Sequence, residues 1–326
     1  MKKNIFLALI IVASVISCSK SEFDNDFSNE VPVVFEFGGL TIDGETASTK
    51  IQDAVTGEIH TFTWEVGDQM TMILYKKPTA AGELASDNVM NFSATNRFSA
   101  TVEGVSTTFK GTLPKDKIQE KWGSSGYIPM WAIYPATNLT VAQTSAASYY
   151  EISGPSFPEV QDGTGLKYCY FVAAKPNFSL QHCTTSSTAQ DGTKPNFLLS
   201  NALVKFTMNT TKNVKKIVIY EGDSRSRLAG DAKYYTSSIG VQALLNRSTT
   251  LTIENGGLLP NEVYFACQYL HNGVAGGGNG TGSIKFTFTA EDNSTITKNL
   301  KITSPCSAMT ISDLGTVTLD NWTPAE

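Results

Sequence analysis

The sequence has few of the residues that build catalytic or metal sites. Histidine occurs three times, at His60, His182 and His271, and only His182 lies near a cysteine, Cys183. No CxxC pair is present, which argues against a zinc site, and no GxSxG, HExxH or kinase signature occurs. Because no set of titratable residues converges, we predict a protein with no catalytic residues, no cofactor and no bound metal.

Clusters of basic residues are also missing. The 326 residues carry a formal net charge of -5, and loss of residues 1–17 would remove Lys2 and Lys3 and no acid, lowering the charge by 2 to -7. An acidic chain without a basic cluster binds phosphate backbones and anionic lipid poorly. Nucleic acid is therefore not an expected partner.

Long apolar runs are confined to the N-terminus. Residues 1–17, MKKNIFLALIIVASVIS, begin with two lysines, continue with an apolar run from Ile5 to Ile16 and end in small residues. This order is typical of an export signal. The run is shorter than the stretch of about 20 apolar residues that a membrane-spanning helix needs. We therefore predict a signal peptide at residues 1–17.

The residues VISC, 15–18, resemble the bacterial lipobox, whose cysteine is acylated and becomes the mature N-terminus. Ile16 is larger than the usual occupant, and an ordinary secretory leader is the alternative. From this resemblance we expect Cys18 to carry lipid. Two or more acyl chains, at about 0.8 kcal/mol per buried methylene, would then hold the protein at a membrane. Residues 18–30 are polar and acidic and are expected to form a flexible tether.

Four further cysteines remain, Cys169, Cys183, Cys267 and Cys306. Disulfides can persist in an exported chain, and four cysteines allow three connectivities. One of these, Cys169–Cys183 with Cys267–Cys306, keeps each bridge within one half of the chain. Free thiols packed as small hydrophobic side chains are the alternative, because a chain of this length can build cores without covalent links.

Much of the remaining chain alternates between apolar and polar residues with a period of two. The alternating apolar residues are Phe62, Trp64 and Val66; Met70, Met72 and Leu74; Phe98, Ala100 and Val102; Val204, Phe206 and Met208; and Ile284, Phe286 and Phe288. This pattern predicts strands with one buried face, separated by turns such as Gly67-Asp68. One stretch, SIGVQALLNRS (238–248), is compatible with a short helix. The sequence thus predicts an all-β fold of antiparallel β-sandwiches.

The stretch from Lys175 to Asn196, KPNFSLQHCTTSSTAQDGTKPN, is rich in Ser, Thr, Pro and Gly. We expect the joint between two domains here, because the chain is long enough for two cores. The predicted domains are an N-terminal β-sandwich at 31–180 and a C-terminal β-sandwich at 195–326. No repeat of fixed period relates them.

Six stretches occur along the chain in a recognisable order. They are FTWEVGDQMTMILY, MWAIYPAT, FPEVQDGTGLKYCYFVAA, FLLSNALVKFTMN, GGLLPNEVYFACQYL and ISDLGTVTLDNW. Together with the lipobox they resemble the fimbrillin-like surface lipoproteins of Bacteroidales, which include the major and minor fimbrillins and the Mfa-like proteins. The resemblance covers most of the chain and implies two transthyretin-like sandwiches in a subunit of a pilus.

The resemblance also implies how the N-terminus is processed. In this family a protease removes the first strand of the N-terminal domain by cutting after a basic residue. The corresponding stretch is GETASTKIQDAVTG (44–57), so the expected cut lies between Lys50 and Ile51. The family usually has arginine at this position, and an arginine-specific protease would not cut after Lys50.

The expected removable strand is VPVVFEFGGL (31–40), with Val31, Val33, Phe35 and Phe37 on one face. A strand of another subunit would fill the groove that it leaves, through main-chain hydrogen bonds and side-chain pockets.

The expected donor strand is the C-terminal segment TVTLDNWTPAE (316–326), with Val317, Leu319 and Trp322 as its apolar residues.

The expected function is therefore that of a structural or accessory subunit of a fimbrium that contributes to adhesion. It would be located at the cell surface, as an outer membrane lipoprotein, in a fimbrium, or both. The expected partners are other fimbrillin-like subunits in a homo- or heteropolymer, the outer membrane through the lipid anchor, and a host or bacterial surface glycan or protein.

The alternative is a monomeric, surface-anchored glycan-binding lipoprotein that does not polymerise. The tyrosine pairs Tyr149-Tyr150 and Tyr234-Tyr235 could stack on sugars if they are exposed, whereas burial within strands is the other expectation for them.

Overall fold

The computed structural model describes residues 30–37, 40–42, 45–47, 64–79, 85–92, 97–104, 106–143, 149–164, 166–184, 197–221, 227–237, 241–268, 270, 284–300, 306 and 311–325. Within residues 30–47 the description covers the strands and their pairing.

The described residues are mostly strands, which confirms the predicted all-β class. In chain order the strands are β1 (Glu30–Phe37), β2 (Leu40–Ile42), β3 (Glu45–Ala47), β4 (Gln69–Tyr75), β5 (Val89–Asn91), β6 (Phe98–Ala100), β7 (Thr107–Pro114), β8 (Tyr127–Tyr134), β9 (Thr140–Gln143), β10 (Tyr150–Phe157), β11 (Val160–Gln161), β12 (Phe171–Ser179), β13 (Phe197–Leu199), β14 (Ala202–Thr210), β15 (Val214–Tyr220), β16 (Ala229–Tyr235), β17 (Ala243–Ser248), β18 (Thr250–Ile253), β19 (Glu262–Cys267), β20 (Ile284–Ala290), β21 (Thr295–Leu300) and β22 (Ile311–Leu319). The helices are α1 (Ala85–Asn88), α2 (Lys115–Trp122) and α3 (Leu180–Thr184), with a 3-10 turn at Leu166–Tyr168. In the described part of the chain, no helix has the length and apolar character needed to cross a membrane.

A ten-stranded sheet organises the first half of the chain. Its order is β1-β7-β6-β4-β8-β12-β13-β2-β3, with β5 added to β4. The sheet rolls over itself, because Trp64 packs edge-on against Phe109 of β7 and Phe197 of β13, with ring centroids 5.0 and 5.4 Å away. These aromatic rings lie in the first core, which fills the inside of the rolled sheet and continues between its outer face and the neighbouring strands.

A four-stranded sheet of order β17-β16-β10-β9 covers the outside of the rolled sheet. Its Tyr234 packs edge-on against Trp131 of β8, with ring centroids 5.6 Å apart. The Tyr234 hydroxyl is 2.9 Å from Ser200 Oγ, which itself donates to the carbonyl of Tyr170 at 2.8 Å. The buried phenol therefore keeps a polar partner, as burial of a hydroxyl requires.

Strand β4 is buried on both faces, although the sequence predicts one buried face. The residues expected to face inward, Met70, Met72 and Leu74, are buried. On the opposite face Thr71, Ile73 and Tyr75 are buried as well. The four-stranded sheet covers this second face: the Tyr75 ring lies 6.5 Å from that of Tyr150, and its hydroxyl donates to the carbonyl of Thr236 at 2.9 Å. A strand between two layers has no solvent face, so its polar positions need not be exposed.

The second half of the chain forms a sandwich around a second core. A five-stranded sheet, β11-β18-β15-β20-β21, faces a three-stranded sheet, β19-β14-β22. The predicted inward residues of β14 and β20 are buried there: Val204, Phe206, Met208, Ile284, Phe286 and Phe288. The alternation is confirmed here because each of these strands has one face on the second core.

Three further sequence-based expectations differ from the structure. Val66 and Val102 are exposed, at 62% and 52%, because they lie where strand pairing is reduced to a single bridge between Trp64 and Gly104. The stretch 238–248 contains strand β17 in place of a helix, with Leu244 buried and Leu245 exposed. Pairing of β17 with β16 therefore outweighs the local helical preference.

The two halves of the chain exchange strands. The hairpin β16–β17 comes from the second half and completes the four-stranded sheet on the first core, whereas β11 comes from the first half and pairs in parallel with β18. Strands from both sides of 180–195 thus share a sheet. The domain boundaries 31–180 and 195–326 stay a prediction.

The segment that contains β11 closes one side of the C-terminal sandwich. Gln161 is fully buried, and its side chain donates to the carbonyl of Ala266 at 2.8 Å and accepts from the Ala266 amide at 2.9 Å. Gly163 accepts from the Tyr264 amide at 2.7 Å. These contacts satisfy the outer edge of β19, which would otherwise present unpaired backbone groups.

Substitution of Gln161 by alanine should therefore lower the free energy of unfolding by about 2–4 kcal/mol, because both backbone groups of Ala266 lose their partner while buried. Equilibrium unfolding in urea measures the change. Gln143→Ala, on an exposed position of β9, is the control and should change stability by less than about 0.5 kcal/mol. Equal stability of the two variants would contradict the assignment.

Candidate strand-exchange site

The N-terminal strand β1 lies at one edge of the ten-stranded sheet. It pairs antiparallel with β7 over its whole length, from Glu30 opposite Pro114 to Phe37 opposite Thr107. Among the described strands β7 is its sole partner. Removal of β1 would thus break one ladder and leave the order of the other strands unchanged.

The register places the predicted apolar residues of β1 opposite inward-facing positions of β7. Val31 is opposite Leu113 and Phe35 is opposite Phe109, and both partners are fully buried. Directly opposite residues of an antiparallel pair share one face of the sheet. Val33 and Phe37 lie on this face too, opposite Gly111 and Thr107. The register therefore agrees with the predicted apolar face.

Strands β2 and β3 occupy the other edge of the same sheet. Leu40 and Thr41 pair in parallel with Phe197 and Leu198 of β13, and β3 folds back antiparallel on β2. Two residues, 38–39, separate β1 from β2. One continuous segment, 30–47, therefore covers both the β7 edge and the β13 edge; we call it the N-terminal strap.

The predicted processing residues lie outside the described residues. These are the signal peptide 1–17, the lipidation residue Cys18 with tether residues up to 29, and the cut at Lys50 and Ile51. Strand β3 ends at Ala47, just before Lys50 in sequence. A cut after Lys50 would thus separate the whole N-terminal strap from the rest of the chain.

The stretch that begins with Trp64 packs between the β7 edge and the β13 edge. This indole is 1% exposed and contacts aromatic rings of β7, β8 and β13. Gly67, at φ +95°, provides the reversal, and Asp68 Oδ2 accepts from the Glu65 amide at 2.9 Å. The burial predicted for Trp64 and the turn predicted at Gly67-Asp68 are confirmed.

A hydrogen bond that the sequence does not predict ties this turn to β8. The Tyr134 hydroxyl donates to Asp68 Oδ1 at 3.1 Å. Burial, followed by the charge of Asp68, raises the pKa of Tyr134 well above its usual range, so the phenol stays a donor. Pro135 follows directly, and β8 ends before it, as expected for a residue without an amide hydrogen.

The C-terminal strand β22 also lies at an edge. It pairs in parallel with β14, from Ile311 opposite Leu203 to Leu319 opposite Thr210, with a bulge before Thr316. Gly315 provides the bulge at φ +73°, and its amide donates to Asp313 Oδ1 at 2.7 Å. Like β1, β22 pairs with one neighbour among the described strands.

The residues predicted to enter another subunit fill the second core of their own chain. Val317 is 4% and Leu319 is 1% exposed, and Trp322 packs against the same core. Donation of this segment to another subunit would require β22 to leave β14 first. The donor assignment stays a prediction.

None of the four later cysteines forms a disulfide in this structure, and all of them are buried. Cys169 and Cys183 belong to the first core, and Cys267 and Cys306 to the second. Burial raises the pKa of the Cys169 thiol to about 12, against a weaker lowering by the amide of Asn201. Such thiols hardly ionise at neutral pH and pack as small apolar side chains.

The tyrosine pairs are each divided between the inside and the outside of the four-stranded sheet. Tyr150 and Tyr234 are buried, at 1% and 0% exposure. Tyr149 and Tyr235 are half-buried, with ring centroids 4.5 Å apart and planes tilted by 37°. Burial is thus found for one ring of each pair.

Titratable groups do not converge into a metal site in the described part of the chain. His60 and His271 lie outside the described residues, and His182 lies in α3, where its side chain is outside the description. Glu65 and Asp68 come close through the turn itself.

No model of a protein family matches the sequence, and no curated protein matches it. Among solved structures, a proposed cell adhesion protein from Bacteroides uniformis matches with a TM-score of 0.50 and 10% identity, over 91% of this chain and 97% of that one. Another from Bacteroides ovatus matches with a TM-score of 0.48 and 12% identity, over 90% and 96%. The tip fimbrial protein Mfa3 from Porphyromonas gingivalis, with a C-terminal truncation, matches with a TM-score of 0.32 and 8% identity, over 83% and 81%. At these identities the likeness concerns the fold, and it rests on the first of the three.

Thiol titration should find the four core cysteines unreactive in the folded chain and reactive after denaturation without reductant. The physical reason is that burial prevents both access and ionisation. In the non-acylated chain Cys18 serves as an internal standard, so five thiols are expected in denaturant. A total of three or one would show that disulfides form after all.

Proposed function

We propose that this chain is a cell-surface subunit of a fimbrium, assembled by donor-strand exchange, and that it contributes to adhesion. The resemblance of its motifs to fimbrillin-like lipoproteins supports this reading. The fold likeness to a proposed cell adhesion protein is consistent with it. The chain would act through binding and assembly, with no catalytic step.

One observation carries the proposal: the N-terminal strap covers two sheet edges at once and ends just before Lys50. A single cut there would turn three strands into a separate peptide held without covalent bonds. The strap is placed so that its loss exposes edges and leaves the interior strands β6, β4, β8 and β12 paired with each other. This is the arrangement that strand exchange requires.

Only a strand with a suitable apolar face could fill the groove that the strap leaves. It would have to pair antiparallel with β7 and place apolar side chains opposite inward-facing positions of β7, such as Phe109 or Leu113. An empty groove would present unpaired backbone groups and apolar surface to water, so occupation by another chain is strongly favoured.

The C-terminal segment 316–326 of another copy is the proposed occupant. It begins within the edge strand β22, and its apolar residues Val317 and Leu319 are both buried and lie on one face of that strand. Its departure would expose these two side chains, and burial in the groove of the next subunit would offset that cost. Exchange would thus replace contacts within one chain by similar contacts between chains.

Export and anchoring complete the proposal. Residues 1–17 would direct export, Cys18 would carry lipid, and residues 18–30 would hold the folded part away from the outer membrane until the chain is cut after Lys50. The adhesive partner would be a glycan or protein of a host or bacterial surface.

Locking the strap in place should prevent polymer formation. Val34 is opposite Lys110, an exposed position of β7, so Val34→Cys with Lys110→Cys can join the two strands on the outer face. A protease site in place of residues 48–52 then allows a controlled cut. After cutting, the oxidised protein should remain monomeric, and the reduced protein should form polymers, measured by light scattering and electron microscopy.

The single variant Val34→Cys, cut in the same way, is the matched control and should polymerise with or without oxidant. Polymers from the cut and oxidised double variant, or from the uncut chain, would overturn the role of the strap.

In cells that make the protein, mass spectrometry should find assembled chains that begin at Ile51. Assembled chains that still begin at acylated Cys18 would show that polymer formation needs no cut.

A further inference from the structure

The chain beyond β22 crosses from one sheet of the C-terminal sandwich to the other. Thr323 and Thr295 exchange two backbone hydrogen bonds, of 2.9 Å from the Thr295 amide and 2.8 Å from the Thr323 amide. Thr295 begins β21 of the five-stranded sheet, whereas β22 belongs to the three-stranded sheet. Residues 320–325, here called the C-terminal tail, therefore close the side of the sandwich opposite the segment around Gln161.

A lysine holds the C-terminal tail from the loop between β14 and β15. The ammonium of Lys212 lies 2.6 Å from Asp292 Oδ2, 2.8 Å from Ser294 Oγ and 5.6 Å from the centroid of the Trp322 ring. Asp292 is itself fixed, because its Oδ1 accepts from the amide and hydroxyl of Ser294. The cation is thus held by an anion on one side and faces an aromatic ring on the other.

The buried position of Trp322 does not satisfy the hydrogen-bonding capacity of its ring. Its indole nitrogen is buried and has no hydrogen-bond partner among the described residues. A buried donor without an acceptor is unfavourable, so the ring is less stable in this position than its apolar contacts alone would make it. A second contact, 3.2 Å between Lys298 Nζ and Asp320 Oδ1, lies at an exposed site, where an ion pair contributes little.

We propose that Lys212 is a latch residue that keeps the C-terminal tail closed on its own sandwich, and that Trp322 must leave Lys212 before β22 can be given to another copy. The latch would act on the monomer by lowering the population of chains whose tail is open. Its purpose rests on the proposed strand exchange, whereas the closure itself is a property of a single chain. The unsatisfied indole nitrogen makes the closed tail easy to release once a better site is offered.

Hydrogen exchange of the full chain tests the latch directly. Lys212→Met removes the charge and keeps most of the side-chain length, so the amide of Thr323, which donates to the Thr295 carbonyl, should exchange about 3- to 10-fold faster. Amides of β15 and β20 in the second core should keep their rates. Trp322→Leu should give a similar increase, and the double variant should exceed the single variants by less than the product of their effects, because the two residues act through one contact.

The matched control is Lys215→Met. Lys215 donates to Asn293 in the same β20–β21 turn, at 2.6 Å, and is a second lysine of similar surroundings. Its loss should leave the exchange of the tail unchanged. Equal rates in the wild type and Lys212→Met, equal acceleration by Lys215→Met, or acceleration throughout the second core would each overturn the latch.

Polymer formation separates this inference from the proposed function. Suppose that Lys212→Met opens the tail, but the double cysteine variant does not polymerise after it has been cut and reduced. The latch then stands and strand exchange fails. If polymers form and the tail of Lys212→Met exchanges as in the wild type, strand exchange stands and the latch fails.

Discussion

Every sheet that does not close on itself ends in two strands with unpaired backbone groups, and the covering of these edges is the constraint on which the rest of this structure depends. The ten-stranded sheet covers its β7 and β13 edges with the N-terminal strap. The C-terminal sandwich covers β18 and β19 with the segment around Gln161, and reaches β21 through Thr323. In each case the cover comes from a distant part of the sequence.

The covers differ in how firmly they are held. The segment around Gln161 is continuous with the chain on both sides, and a fully buried amide fixes it to Ala266. The strap is held by its ladders with β7 and β13, and the C-terminal tail by the two backbone hydrogen bonds of Thr323 and the contact of Lys212 with Trp322. In the proposed assembly these two covers move between copies, while the Gln161 segment stays with its own chain.

The sequence predicts those features that depend on a single strand and its neighbouring turn. Strand β14 shows its predicted alternation, Trp64 is buried and Gly67 forms a turn as predicted, because the local residue pattern decides these features. Strand β4 and the stretch 238–248 are mispredicted, since a second layer covers β4 and pairing with β16 organises β17. Helix α2 has a single buried residue, Ile118, and thus gives no periodic signal.

The candidate site is predictable only in part, for the same reason. Alternation along residues 31–37 indicates an apolar strand face, and the register with β7 agrees with it. The contacts of Tyr134 with Asp68 and of Lys212 with Trp322 join residues far apart in the sequence. Such pairs follow from the topology, which no single stretch of sequence contains. For the same reason the sequence does not predict that β16 and β17 pack on the first core, or that β11 pairs with β18.

The parallel arrangement of β22 beside β14 determines how the chain end would respond to tension. A force that draws the C-terminal end along the strand axis loads the ladder hydrogen bonds in shear, so many must yield together. A force across the strand would peel them apart one after another at much lower load. Because β16, β17 and β11 interlock the two halves, tension applied to one sandwich would reach the other through paired strands, without passing through a single linker.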